Sequence, residues 1–125
     1  MKKILLPLFL LFFWTCSSSP TKSEPAPQPP TVNNLSISTN EDTPTTFTMT
    51  GTDPEGAALT FSIVSQPQHG SVSTSGNAGT YTPNTNFNGS DTFSYSASDG
   101  SLVSSAGIVT VTITPVDDNP NTMDV

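Results

Sequence analysis

The side chains able to do chemistry in this chain are carboxylates. Ten Asp and Glu residues stand against three Lys and no Arg. The stretch "TITPVDDNP" places two adjacent carboxylates directly after a run that alternates apolar and polar residues. Carboxylates without a basic partner repel each other by about 4 kcal/mol per pair at a separation of ~4 Å and an effective dielectric near 20. Either they point into water or a hard cation binds among them, and Ca2+ takes about 6–8 oxygen ligands of this kind.

Other chemistries fit the composition poorly. Soft metals require Cys or several His, and the chain has one of each, Cys16 and His69. His69 lies in the turn signal "PQHG", so we predict a solvated loop residue. No Ser/His/Asp arrangement is apparent around it, and acids that could hydrolyse glycosides would lie at turn tips rather than in a cleft. We therefore predict no enzyme, and the scarcity of basic residues excludes nucleic-acid binding, which needs cations to neutralise phosphates.

Residues 1–15 are predicted to be a signal peptide. Two lysines precede an apolar run of 11 residues, Ile4–Trp14, which is too short for a bilayer span of about 20 residues. Without this segment, Lys22 stands alone against ten acids, a formal balance of 1 − 10 = −9. Cys16 follows the apolar run and resembles the lipidated cysteine of bacterial lipoproteins; the alternative is an ordinary signal peptide with a Cys near its cleavage site. We expect an exported protein, anchored to a membrane at the cell surface or in the periplasm, or else secreted.

Residues 16–30 are predicted to be a disordered Pro/Ser-rich tether. The stretch "SSSPTKSEPAPQPP" contains five Pro and no apolar side chain larger than Ala26. It therefore cannot bury enough surface to offset its ordering entropy. Pro-rich segments favour an extended, semi-rigid polyproline II spacer, which would hold a domain away from a membrane. A leader without a mechanical role is the alternative.

Residues 31–118 are predicted to form one all-β domain. Short runs of Thr, Ser, Val, Phe and Tyr alternate with a period of two and are separated by turn signals such as "DPEG", "NFNGSD" and "SDG". Strands with one apolar and one Ser/Thr face predict a seven-stranded antiparallel Greek-key β-sandwich. The alternation makes Tyr81, Phe93 and Tyr95 core residues, and Phe87 is predicted to plug one end of the core. The seven runs are "NLSIS", "TFTMT", "LTFSIV", "GSVS", "GTYTP", "TFSYSAS" and "IVTVTIT".

The loops of such a sandwich fall at alternating ends and sort eight of the ten acids into two poles. The end where the chain enters the first strand is called the upper pole, and the opposite end the lower pole. Any acidic β-domain places acids in its turns, because Asx side chains mimic backbone turns, so plain turn residues are the alternative to a metal site. The lower pole receives Glu41, Asp42, Asp91, Asp117 and Asp118 together with Asn119, and the upper pole receives Asp53, Glu55 and Asp99.

The order of these motifs resembles the cadherin-like, Ig-like repeats of bacterial surface proteins. "NEDTP", "TDPEG", "NFNGSDTFSYSASDG" and "VTVTITPVDDNP" follow one another with typical spacing over nearly the whole folded region. The resemblance implies a non-catalytic module for adhesion or spacing, usually one of a tandem array, with Ca2+ held at domain junctions. It also implies two sets of ligands, Glu41, Asp91, Asp117 and Asn119 at the lower pole and Asp53, Glu55 and Asp99 at the upper pole.

Two departures from these repeats concern the upper pole. The stretch "QPPTVNN" ahead of the first strand has no acid, and "DPEGAA" lacks a further acid after its Gly, so the upper site is expected to be incomplete. Residues 119–125 are predicted to be a linker or the start of a following repeat, because "PNTMDV" aligns loosely with "PTVNNL" 90 residues earlier. The expected partners are neighbouring repeats or other surface proteins. A carbohydrate-binding module, which would need exposed aromatic residues and polysaccharide as its ligand, and a plain spacer without metal are the alternatives.

Overall fold

The structure is a computed structural model that describes residues 23–119, and every regular element in this range is a β-strand. Each of the seven predicted runs contains or overlaps a strand, and a further pair of two-residue strands brings the number to nine. No helix that could cross a membrane occurs in this range. The predicted signal peptide, Cys16 and the tail from residue 120 lie outside the described residues. The strands are β1 (Thr31–Val32), β2 (Leu35–Asn40), β3 (Thr45–Thr48), β4 (Gly51–Thr52), β5 (Thr60–Ser65), β6 (Gly70–Ser75), β7 (Ala78–Pro83), β8 (Gly89–Ser98) and β9 (Gly107–Thr114).

Two sheets form the body of the domain, one with the order β2-β9-β8-β5 and the other with the order β3-β7-β6. The prediction of a purely antiparallel sandwich is wrong at one pair, because β2 and β9 are parallel. Their ladder runs from Leu35 opposite Val109 to Asn40 opposite Thr114. These are the first and the last of the seven longer strands, so both run from the upper to the lower pole. Alternation along the chain gives each strand two faces but does not say which strands become neighbours.

The core lies between the two sheets and is built from alternate residues of β3, β7, β8 and β9. Phe93 on β8 contacts aromatic rings of the other sheet, with ring centroids 5.1 Å from Phe47 and 6.1 Å from Tyr81. Tyr81, Phe93 and Tyr95 are all buried, as predicted. Gly79 lies opposite Phe47 in the ladder of β3 and β7, and the missing side chain there makes room for the phenyl ring. The buried hydrophobic cluster consists of Phe47, Met49, Tyr81, Phe93, Tyr95, Val109, Val111 and Ile113.

The Tyr95 hydroxyl holds the place where the chain crosses from β1 to β2. It donates a hydrogen bond to the carbonyl of Asn33 at 2.6 Å and lies 3.1 Å from the carbonyl of Thr50. The neighbouring Asn34 side chain accepts a hydrogen bond from the backbone N–H of Ile108 at 2.8 Å. These bonds attach Asn33 to β8 and Asn34 to β9, and so place the start of β2 beside β9. Just before β1, Pro30 is already buried, although it belongs to the segment predicted to be a disordered tether.

Candidate functional site

Three acidic side chains converge at the lower pole. One carboxylate oxygen from each of Glu41, Asp42 and Asp118 lies within 4.8 Å of the other two. Two oxygens that are each about 2.4 Å from one Ca2+ are at most about 4.8 Å apart, so a single ion could contact all three carboxylates. Glu41 is buried, and the two Asp residues are exposed. We call these three residues the lower-pole cluster.

Glu41 is held in place by the segment that leaves the last strand. Its backbone N–H donates to the carbonyl of Thr114 at 2.9 Å, and its Oε1 accepts from the backbone N–H of Val116 at 2.6 Å. Its Oε2 is 3.4 Å from the side-chain nitrogen of Asn88. The carboxylate therefore connects the loop after β2 with the exit segment and with the loop before β8. Each of its oxygens has a second lone pair that could contact a cation.

Asp42 is positioned by the turn between β2 and β3. Its backbone has a φ of 59°, a left-handed conformation that Asp and Asn adopt more readily than most residues. Its Oδ1 accepts a hydrogen bond from the backbone N–H of Asn86 at 2.8 Å, and Asn86 also has a φ of 59°. The loop before β8 thus reaches the lower-pole cluster through Asn86 and Asn88.

Asp91 is the predicted lower-pole ligand that the structure places elsewhere. It lies inside β8 and is only 4% exposed. Its carboxylate accepts hydrogen bonds from the backbone N–H groups of Gln68 at 3.1 Å, His69 at 2.9 Å and Thr92 at 2.9 Å, and from the Tyr81 hydroxyl at 2.9 Å. Asp91 is therefore not part of the lower-pole cluster. It fastens the loop between β5 and β6 to the core.

The ionisation of this buried pair follows from its contacts. Burial alone would raise the pKa of Asp91, but the hydrogen bonds from His69, Tyr81, Gln68 and Thr92 outweigh it and hold the pKa below its usual value. Burial, the hydrogen bond to Asp91 and the negative charge of Asp91 all raise the pKa of the Tyr81 hydroxyl. At neutral pH the pair is thus a carboxylate and a neutral phenol, which is the arrangement that the 2.9 Å hydrogen bond requires.

The structure also exchanges the two adjacent Asp residues of the exit segment. The resemblance implied Asp117 and Asn119 as ligands, whereas Asp118 is the residue that joins Glu41 in the lower-pole cluster. Asp117 Oδ1 instead accepts a hydrogen bond from the backbone N–H of Asn119 at 2.9 Å. A bond from an Asp side chain to the backbone N–H two residues later is an Asx turn, so the exit segment bends at this point. The sequence alone does not tell which of the two Asp residues faces Glu41.

At the upper pole the structure brings two of the three predicted acids together. Asp53 Oδ2 accepts from the backbone N–H groups of Glu55 at 2.9 Å and Ala57 at 2.8 Å. Asp53 Oδ1 is buried and receives no hydrogen bond within residues 23–119, and the neighbouring Asp53 side chain contributes to lowering the pKa of Asp99. The third acid faces the leader, because the Glu55 side chain accepts from the backbone N–H of Gln28 at 3.1 Å. The upper pole therefore offers a pair of carboxyl groups rather than a cluster of three.

Asp99 closes the turn between β8 and β9. Its Oδ1 accepts hydrogen bonds from the backbone N–H groups of Leu102 at 2.7 Å and Ser101 at 2.6 Å. These two bonds are the main reason why the pKa of Asp99 lies below its ordinary value. Asp residues make such bonds in turns without any metal, so the upper pole is a weaker candidate for a metal site than the lower pole.

His69 and Phe87 form an aromatic stack beside Asp91. Their ring centroids are 4.2 Å apart with an interplanar angle of 8°, and His69 Nδ1 is 3.7 Å from Asp91 Oδ1. The His69 side chain is 45% exposed, which agrees with the predicted loop position. Phe87 packs against the core cluster from the lower pole, as predicted. The alternation of the sequence gave no indication that the two rings would meet.

The comparison with protein families supports this architecture. The family model described as "Bacterial Ig domain" matches residues 27–112. A search of curated protein sequences finds no significant match.

Two solved structures share this fold over part of their length. The chain is similar to part of the endo-fucoidan hydrolase MfFcnA4 from glycoside hydrolase family 107, with a TM-score of 0.54 and 20% identity over 82% of this chain and 16% of that one. For the endo-fucoidan hydrolase MfFcnA9 of the same family, the TM-score is 0.51 and the identity 19% over 73% of this chain and 17% of that one. Titin domain M7 aligns over 73% of this chain and 99% of that one, with a TM-score of 0.42 and 12% identity. The chain thus spans about a sixth of the length of the two hydrolases.

Proposed function

Because the chain belongs to the bacterial Ig domain family, we propose that it is an exported, non-catalytic module for adhesion or spacing whose lower pole binds Ca2+. The observation that carries the metal is the convergence of Glu41, Asp42 and Asp118. Residues 23–119 include no Lys or Arg, so no permanently charged cation in this range neutralises the three carboxylates. A hard divalent ion with oxygen ligands fits this composition.

The ion would act by joining segments that are far apart in the sequence. Glu41 and Asp42 belong to the loop after β2, whereas Asp118 belongs to the exit segment after β9. An ion shared by them would fix the direction in which the chain leaves the domain. A flexible junction would thereby become a stiff one, which suits a module that spaces or presents its neighbours. Two hydrogen bonds from the loop before β8 to Asp42 and Glu41 already order this pole.

Thermal unfolding in the presence and absence of Ca2+ tests this proposal. With a dissociation constant of about 10⁻⁴–10⁻³ M, as extracellular sites often have, ~10 mM Ca2+ should stabilise the folded state by about 1.4–2.7 kcal/mol. We expect the midpoint to rise relative to EDTA at matched ionic strength. The measurement is a circular-dichroism melt at neutral pH.

The matched variants are Asp118→Asn, which removes one charge from the lower-pole cluster, and Asp99→Asn, which removes one from the upper pole. Asp118→Asn should abolish most of the Ca2+-dependent rise, and Asp99→Asn should keep it. If the wild-type protein melted at the same temperature in Ca2+ and in EDTA, the result would contradict Ca2+ binding and favour a plain spacer without metal. A rise lost in Asp99→Asn and kept in Asp118→Asn would move the site to the upper pole.

Export and lipid anchoring are a separate component of the proposal, supported by the sequence of the first 16 residues. If Cys16 carries the lipid, Cys16→Ser should shift the protein from the membrane fraction to the soluble fraction, because the anchor is lost. The measurement is fractionation of cells that express the full chain, with Ser17→Ala as the matched control that keeps the cysteine. Unchanged membrane association of Cys16→Ser would contradict a lipid anchor at this residue.

A further inference from the structure

The outer edge of β6 is an unprotected sheet edge. β6 is the last strand of the sheet β3-β7-β6, and no other described strand pairs with its outer side. Natural edge strands are usually blocked by charged residues, proline or a β-bulge. The sequence of β6, "GSVSTS", contains no charge and no proline, and its register against β7 is continuous from Gly70 to Ser75. The corresponding edge strand of the other sheet, β5, has a bulge between Ile63 and Ser65.

The turn after β6 determines which backbone groups of this edge are free. Ser75 lies opposite Ala78, with Gly76 and Asn77 forming a two-residue turn in which Gly76 has a φ of 63°. In a hairpin of this kind the pair next to the turn exchanges hydrogen bonds, and bonded pairs recur at every second residue. The N–H and C=O groups of the alternate residues therefore point away from β7. In β6 these residues are Gly70, Val72 and Thr74.

The outward-pointing backbone groups of these three residues can pair with those of the same three residues in a second copy. If two β6 strands meet antiparallel with Val72 opposite Val72, then Gly70 lies opposite Thr74 of the second copy and Thr74 lies opposite Gly70 of the second copy. Every residue with outward-pointing backbone groups is thereby paired with another such residue. Three pairs that each exchange two bonds would give about six new hydrogen bonds. We infer that β6 is a homodimerisation edge, through which two copies join their three-stranded sheets into one continuous sheet.

The charge distribution favours a second copy as the occupant. Two copies of so acidic a chain repel each other wherever their carboxylates approach, and β6 is a strand without any acid. A basic peptide would instead be drawn to the poles, where the carboxylates are. The small residues Gly70, Ser71 and Ser73 allow two backbones to approach closely. The contact is isologous and closes at two copies, and it does not depend on Ca2+, since no residue of the lower-pole cluster takes part.

Cysteine cross-linking of the full chain tests the register, with Cys16→Ser in every variant. In the inferred dimer Ser71 lies opposite Ser73 of the second copy, as a pair without hydrogen bonds whose Cα atoms are about 4.5 Å apart. This distance lies within the range for a disulfide of about 4.4–6.8 Å. Ser71 and Ser71 of the second copy are diagonal neighbours at about 7–8 Å, which is too far, and the same holds for Ser73. Both side chains are exposed.

We therefore expect a mixture of the Ser71→Cys and Ser73→Cys proteins to form at least about ten times more disulfide-linked dimer under mild oxidation than either protein alone. Adding Thr74→Lys, an inward-pointing charge on the edge, should abolish this cross-link, whereas Thr48→Lys on β3 should not. Equal cross-linking in the mixture and in each single variant would overturn the register. A mixture that forms no dimer, together with a monomeric mass in light scattering, would overturn the homodimer.

Discussion

Replacing Asp91 with alanine is expected to lower the free energy of unfolding by about 3 kcal/mol or more, because it removes the acceptor of several charge-assisted hydrogen bonds and leaves the buried Tyr81 hydroxyl without its partner. The donors are the Tyr81 hydroxyl and the backbone N–H groups of Gln68, His69 and Thr92. Urea unfolding followed by circular dichroism measures the change. The matched control is Asp118→Ala, an exposed acid, which should change stability little in the absence of Ca2+.

Acid titration gives this prediction a second, independent measurement. The pKa of Asp91 is lower in the folded state than in an unfolded chain. Its stabilising contribution is therefore fully present above the unfolded pKa of about 3.9 and is lost as the pH falls through the folded pKa. The wild-type protein should lose stability below about pH 4 more steeply than Asp91→Asn, which cannot titrate at this position. Parallel pH profiles for the two proteins would show that Asp91 does not hold the loop as a carboxylate.

Replacing Phe93 with alanine is expected to cost about 3–5 kcal/mol, the usual range for a fully buried phenylalanine. Phe93 lies on the four-stranded sheet and contacts Phe47 and Tyr81 on the other sheet. Its removal would leave a cavity between the sheets, where the neighbouring rings are too large to close it. The measurement is again the free energy of unfolding in urea.

The matched control is Phe61→Ala, on the edge strand β5, where the ring is only partly buried. This change should cost distinctly less than Phe93→Ala. If the two substitutions had equal effects, Phe93 would not be the centre of packing between the sheets. If Phe93→Ala were as stable as the wild type, the result would contradict the described core itself.

The fold could be predicted largely because period-two alternation is a local signal. Runs such as "TFSYSAS" and "IVTVTIT" determine which side chains face inward, and Tyr81, Phe93 and Tyr95 are buried accordingly. The parallel pairing of β2 with β9 could not be predicted in the same way, since it depends on which strands become neighbours. That choice depends on contacts such as the Tyr95 hydroxyl with Asn33, which join residues 62 positions apart.

The candidate site, like the fold, could be predicted only in part from the sequence. Loop alternation correctly indicates that the turn with Glu41 and Asp42 lies near the exit segment with Asp118. The sequence assigns Asp91 to this pole as a loop acid. Asp91 lies two residues before Phe93 and four before Tyr95, so the alternation of the strand places it on the same inward face of β8. This alternation could have predicted from the sequence that Asp91 is buried. The choice between Asp117 and Asp118 had no such signal, because it depends on how the segment turns after Thr114.

The parallel ladder of β2 and β9 has a mechanical consequence. Tension on a tethered module pulls the chain outward before β2 and after β9, in opposite directions. The two strands lie side by side and run the same way over six paired positions, so the pull slides one along the other and loads all of their hydrogen bonds at once. An antiparallel hairpin pulled at its open end would instead lose its hydrogen bonds in succession. The arrangement would therefore resist stretching between the point where the chain enters β2 and the point where it leaves β9.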